Sequence, residues 1–195
     1  KSTDRHKSEL TAIQHQIIKN MKQIFYIIIT LCICVQTNAQ TKWFTTYNDS
    51  TDLVTDANKL VQQLASRLAK VNPKINLHQN IAIKNTKPYL IFIKNDTVSL
   101  PFWTEVIPQQ QKFFAEVAGG ENEGKEVFGL FFNGFYLAHE LGHSFFSQAG
   151  KKYANSYDSE YDANTFAILY WQTADEKDNL KRCYDYAQKM LKILK

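Results

Sequence analysis

From Asp52 to Val71, apolar residues recur at Leu53, Ala57, Leu60, Val61, Leu64, Leu68 and Val71, the three-and-four spacing of one helix face. Pro73 closes that run, because a proline ring and its missing N–H stop a helix at or before it. The pattern then shortens to strand-like stretches at Ile75 to Lys84 and Tyr89 to Lys94. Lys94-Asn95-Asp96-Thr97 offers turn chemistry ahead of Val98-Ser99-Leu100. Two to four short strands are expected, including one hairpin. Pro101 and Pro108 bracket a connector containing Phe102 and Trp103. Pro108 suits a first helical turn, and Gln109 to Ala118 reads as a helix closed by Gly119-Gly120.

Between Gly124 and Gly150, Val127, Leu130, Phe131, Gly134, Ala138, Leu141 and Phe145 keep helical spacing, which predicts a central, buried helix. A strand at Val127 to Phe132, with Asn133-Gly134 as a turn, is the competing reading, and helix is preferred. Gly134 and Gly142 then lie inside a helix, each costing about 1 kcal/mol relative to alanine, which close packing against a neighbour would offset. Asn155 or Ser156 is the N-cap of a second apolar helix, Tyr157 to Gln172, with Ala163, Phe166, Ala167 and Tyr170 on one stripe. A third begins near Thr173, whose spacing to Glu176 fits a capping box, and runs towards Leu194. A small sheet followed by a run of helices is an α+β pattern.

The first forty residues stand apart. Met21-Lys22, the apolar run Ile24 to Val35 and then Gln36-Thr37-Asn38-Ala39 have the order of a secretory signal peptide, with Thr37 and Ala39 at the small-residue positions. Lys1 to Asn20 are read as an upstream or non-native extension. Cys32 and Cys34 follow Leu31 and Ile33, not the small residue that a lipid-attachment cysteine prefers. An uncleaved anchor is the rival reading, though the run is shorter than the ~20 residues of a membrane span. Cleavage after Ala39 would leave one domain, Gln40 to Lys195, secreted or periplasmic and without stable membrane association. Five of the 23 basic and two of the 19 acidic residues precede Gln40, so 18 and 17 remain. That balance points to no nucleic-acid partner. Of the three cysteines only Cys183 lies beyond Ala39, so stability must come from packing or from a metal.

His139-Glu140-Leu141-Gly142-His143 carries the chemistry. Histidines four apart share a helix face, and both imidazoles can reach one metal ion. Glu140 projects about 100° away, where it can touch a metal-bound water without binding the metal. This is the H-E-x-x-H arrangement of zinc-dependent hydrolases. Random placement of five His and nine Glu predicts roughly 0.006 such motifs, so chance is a poor explanation. A catalytic zinc takes three protein ligands and keeps one position open. Beyond Ala39 the only other histidine is His78, in the strand region. Glu160 is the better third ligand, 17 residues past His143 on the following helix.

With Glu160-Tyr161-Asp162-Ala163-Asn164 on the second helix, the chain resembles the gluzincin metallopeptidases, the thermolysin-like group. In these a glutamate, two variable residues, alanine and then aspartate or asparagine lie downstream of the H-E-x-x-H helix. Glu160, Ala163 and Asn164 match that pattern. The resemblance spans roughly His78 to Trp171, and its specific part is those two short motifs. It implies a zincin-like fold, a small sheet packed on the active-site helix, then a glutamate helix and a C-terminal helix. It also implies peptide or protein substrates. His139, His143 and Glu160 would bind Zn²⁺ and lower the pKa of a bound water towards ~7. Glu140 would take the water proton and pass it to the leaving amine. Asn164 would accept the other N–H of a zinc histidine, without the charge of the aspartate that many relatives carry. Tyr153, Tyr157 and Tyr161 are the candidates for the oxyanion-stabilising phenol. A catalytically inactive, zinc-stabilised binding domain of the same fold is the alternative.

Overall fold

The computed structural model describes residues 47, 49–74, 77, 80–84, 91–94 and 97–194. The signal-peptide pattern, the segment before it and His78 lie outside the described residues.

Helix α1, Ser50–Val71, starts two residues before its apolar pattern because Asp49 caps it. The Asp49 carboxylate accepts the Thr51 N–H at 2.6 Å. Leu53, Ala57, Leu60, Leu64 and Leu68 are no more than 2 % exposed, so the predicted stripe is the buried face. Burying each leucine is worth roughly 1.5–3 kcal/mol, and that packing, not intrinsic propensity, holds the helix. Asn72 is extended ahead of Pro73, where the proline ring disfavours helical backbone.

Three strands follow: β1 Asn80–Ile83, β2 Phe92–Lys94 and β3 Thr97–Leu100, in the spatial order β1-β3-β2. β2 and β3 form the expected antiparallel hairpin, with Lys94 opposite Thr97 and Ile93 opposite Val98. β1 runs parallel to β3 on its other side. Val98, Ser99 and Leu100 are buried on the central strand, while β2 is an edge among the described residues. β1 packs on α1, and the hairpin packs on the helix that bears the histidines.

Helix α2, Pro108–Ala118, ends at Gly119, whose φ of +96° is one that side chains rarely adopt. Helix α3, Glu121–Phe128, continues through a π-helical segment, Gly129–Phe135, into α4, Tyr136–Gln148. The preference for helix over strand at Val127 to Phe132 is therefore correct. Six of its seven stripe residues are buried, and Phe131 alone is half-buried. A π turn is wider than 3.6 residues, and within it Phe132 is buried as well, stacking on Phe128 at 4.9 Å and meeting Phe114 at 6.0 Å. Asn133 is buried beside it.

Helix α5, Ser156–Thr173, is capped by Asn155, whose side-chain oxygen accepts the Asp158 N–H at 3.0 Å. Helix α6, Lys177–Ile193, begins later than the Thr173 capping-box reading expects. Thr173 is the last residue of α5 and its hydroxyl donates to the Tyr170 carbonyl at 2.7 Å. The chain reverses at Asp175, with φ +60°, and Glu176 is the N-cap residue of α6. Cys183 on α6 is a buried thiol, pushed up to about 12 by desolvation, with its Sγ 3.7 Å from the Leu130 carbonyl. The described residues thus form a mostly helical α+β structure with one three-stranded sheet. Among them, no helix is long and apolar enough to cross a membrane.

Candidate metal centre

Two helices make the site, and a glycine lets them meet. A Cβ on Gly142 would stand 3.1 Å from the Phe166 Cβ and 3.2 Å from the Ala163 Cα, so α4 and α5 touch nearly backbone to backbone. That contact is what offsets a glycine inside a helix at this position. Phe166 then lies against Phe145 at 5.3 Å and Phe146 at 6.3 Å, aromatic pairs worth about 0.5–1.5 kcal/mol each beyond their area.

On α4, His139 and Glu140 are buried and His143 is half-buried. The two imidazoles meet at 85° with centroids 4.7 Å apart, and their Nε2 atoms are 3.1 Å apart. From α5, Glu160 places Oε2 at 3.2 Å from His139 Nε2 and Oε1 at 3.3 Å from His143 Nε2. Asn164 sets its Oδ1 at 3.0 Å from His139 Nδ1, so that nitrogen carries the proton and donates it. Ser159 Oγ lies 3.2 Å from His143 Nδ1. His139, His143 and Glu160 form a group that can hold a metal ion.

The charges explain why. Burial, then the neighbouring His143, lowers the His139 pKa below its ordinary value against the opposing pull of Glu160. Neutral His139, with its proton on Nδ1, presents only a lone pair at Nε2. A carboxylate likewise only accepts. Two acceptors, His139 Nε2 and the Glu160 carboxylate, therefore face His143 Nε2 and each other within 3.1–3.3 Å, a spacing that a cation bound by all three would satisfy. The Glu160 side chain is 57 % exposed, so the group opens to solvent on the α5 side.

Glu140 stands beside this group on the sheet side. Burial, then the charge of Glu160, pushes its carboxyl up to about 8, and a hydrogen bond from the Ile93 backbone N–H of β2 opposes the shift. In the metal-free protein Glu140 keeps its proton until about pH 8, whereas the unfolded chain releases it near 4.5. The folded state binds the extra proton between those values. This contribution to stability is complete below about 4.5 and is lost as pH rises towards 8. Its size is on the order of 2–4 kcal/mol, or about 5–10 °C in melting temperature. Melting curves of the chelator-treated protein at pH 5 and pH 8 should show that drop, and Glu140→Gln should remove it. A variant that follows the wild-type profile would mean Glu140 is not the group responsible.

The three tyrosine candidates are not drawn into the group. Tyr153 donates its hydroxyl to Asp162 at 2.9 Å, beside the Lys151 ammonium on the same carboxylate. Asp162, on α5, is thereby tied to the two connector residues. Tyr157 and Tyr161 are 74 % and 62 % exposed on α5. Among the described residues, none of the three hydroxyls hydrogen-bonds His139, His143 or Glu160. Two neighbours escaped the sequence reading. Tyr136, one turn before His139, sets its half-buried ring edge-on to that imidazole at 5.5 Å, and burial holds its phenol above the ordinary range. Its helical spacing from His139 was the available signal. Ser159 had only its place beside Glu160 to mark it. No family model, curated protein or solved structure matches this chain.

Proposed function

We propose that this chain is a zinc-dependent peptidase of the gluzincin kind, with a zincin-like fold. The observation that carries the reading is the meeting of His139 Nε2, His143 Nε2 and the Glu160 oxygens at 3.1–3.3 Å. Ligand atoms set tetrahedrally around Zn²⁺ at about 2.0–2.1 Å stand about 3.3 Å apart, so the donor set fits in size as well as in chemistry. Two imidazoles and one carboxylate leave a fourth position for water or substrate.

Zn²⁺ held there would acidify a water and polarise a carbonyl. The rest is done by side chains of this chain. Glu140 accepts the proton of the attacking water, the water oxygen joins the peptide carbonyl carbon, and the same carboxyl returns a proton to the leaving amine as the C–N bond breaks. A cation nearby draws that carboxyl back from about 8 towards its ordinary range, where it can both take and give a proton near neutral pH. Asn164 orients the His139 ring from behind. The edge strand β2, whose Ile93 N–H already points at Glu140, offers main-chain pairing to an extended peptide. Export to the periplasm or the medium belongs to the same proposal and rests on the Met21–Ala39 pattern alone.

Quenched fluorogenic peptides test this. Cleavage should stop on chelation and return with Zn²⁺. Turnover indifferent to chelators, with no metal bound, would contradict the proposal.

A further inference from the structure

Both histidines have an Nδ1 partner, and both partners come from α5. His139, 5 % exposed at its side chain, has the Asn164 amide oxygen at 3.0 Å. His143 is 20 % exposed and so less held by packing. The polar contact behind its ring is the Ser159 hydroxyl at 3.2 Å. Ser159 follows the Asn155 cap by four residues and immediately precedes Glu160, so the start of α5 sets both its height and its facing.

We infer that Ser159 is a positioning residue for His143: its hydroxyl oxygen accepts the Nδ1–H and thereby leaves the Nε2 lone pair directed at Glu160 and His139. This inference rests on the reading of His139, His143 and Glu160 as a metal centre. The chemistry requires such a partner. A neutral imidazole carries one proton, and if it sits on Nε2 the ring cannot ligate through that atom. The less buried ring has fewer packing contacts to fix its orientation, so the hydrogen bond behind it supplies that hold. One helix thus delivers the third ligand and both groups that orient the other two.

Threonine and valine at position 159 have the same shape and differ by the hydroxyl, so they isolate it. In Zn²⁺ titrations of the full chain, Ser159→Thr should bind within about threefold of wild type, and Ser159→Val and Ser159→Ala about 10-fold more weakly. In the Zn²⁺-loaded protein, where Nε2 is taken by the metal, the His143 Nδ1–H should exchange slowly with water in wild type and Ser159→Thr and at least ~10-fold faster in Ser159→Val. Equal affinity and equal Nδ1–H exchange in the threonine and valine variants would overturn the inference. A wild type that takes up no Zn²⁺ would instead sink the metal-centre reading on which the inference rests.

Discussion

Replacing Glu140 by glutamine is expected to lower peptide turnover by about 10²–10⁴-fold and to leave Zn²⁺ uptake unchanged. The separation follows from position. Glu140 is on α4 between the two histidines, yet the metal-ligating group is His139, His143 and Glu160. Glutamine keeps the size of the side chain and can still accept the Ile93 N–H on its amide oxygen. It cannot take a proton from water. The effect should fall on kcat more than on KM, because proton transfer belongs to the transition state. A variant that cleaves peptides like the wild type would remove Glu140 from the reaction. A wild type that binds Zn²⁺ and cleaves nothing would be the non-catalytic, zinc-stabilised binding domain.

Glu160→Ala is the second large effect. Removing one of three protein ligands should weaken Zn²⁺ binding by more than the 10–100-fold that follows loss of a group behind a ligand. Competition with a chromogenic chelator measures it. The fold itself should tolerate the change, because the Glu160 side chain is 57 % exposed and its contacts are with the two histidines. At Zn²⁺ a thousandfold above the wild-type Kd, metal adds about 4 kcal/mol to stability. Wild type should therefore melt higher with Zn²⁺ and the alanine variant should not. Equal affinity in the two proteins would mean that Glu160 is not a ligand.

What was legible in the sequence was local. The α1 stripe, the Lys94–Thr97 hairpin and the Pro108 and Gly119 boundaries follow from periodicity and turn chemistry within a few residues. The histidine pair was legible because helical spacing alone puts both rings on one face. Glu160 needed only the start of one more helix, whereas Asn164 followed from the resemblance to the gluzincin pattern. What escaped depended on contacts distant in sequence or on uncommon backbone. The π segment buries Phe132 and Asn133 in addition to the predicted stripe and leaves Phe131 half-buried, which a stripe read at 3.6 residues per turn does not anticipate. Thr173 bonds back to Tyr170 and does not cap α6, a choice settled by where α5 ends. The Tyr153 hydroxyl reaches Asp162 across nine residues, and Ser159 reaches His143 across sixteen. Neither distance has a periodic signature.

Zinc K-edge X-ray absorption on this chain, purified and loaded with one equivalent of Zn²⁺, tests the central claim most directly. The account predicts a first shell of nitrogen and oxygen only, at about 2.0–2.2 Å, with the outer-shell scattering of two imidazoles and no sulfur. Loss of one imidazole in His143→Ala should accompany it. A protein that retains no zinc, or a shell with sulfur at about 2.3 Å, would contradict it.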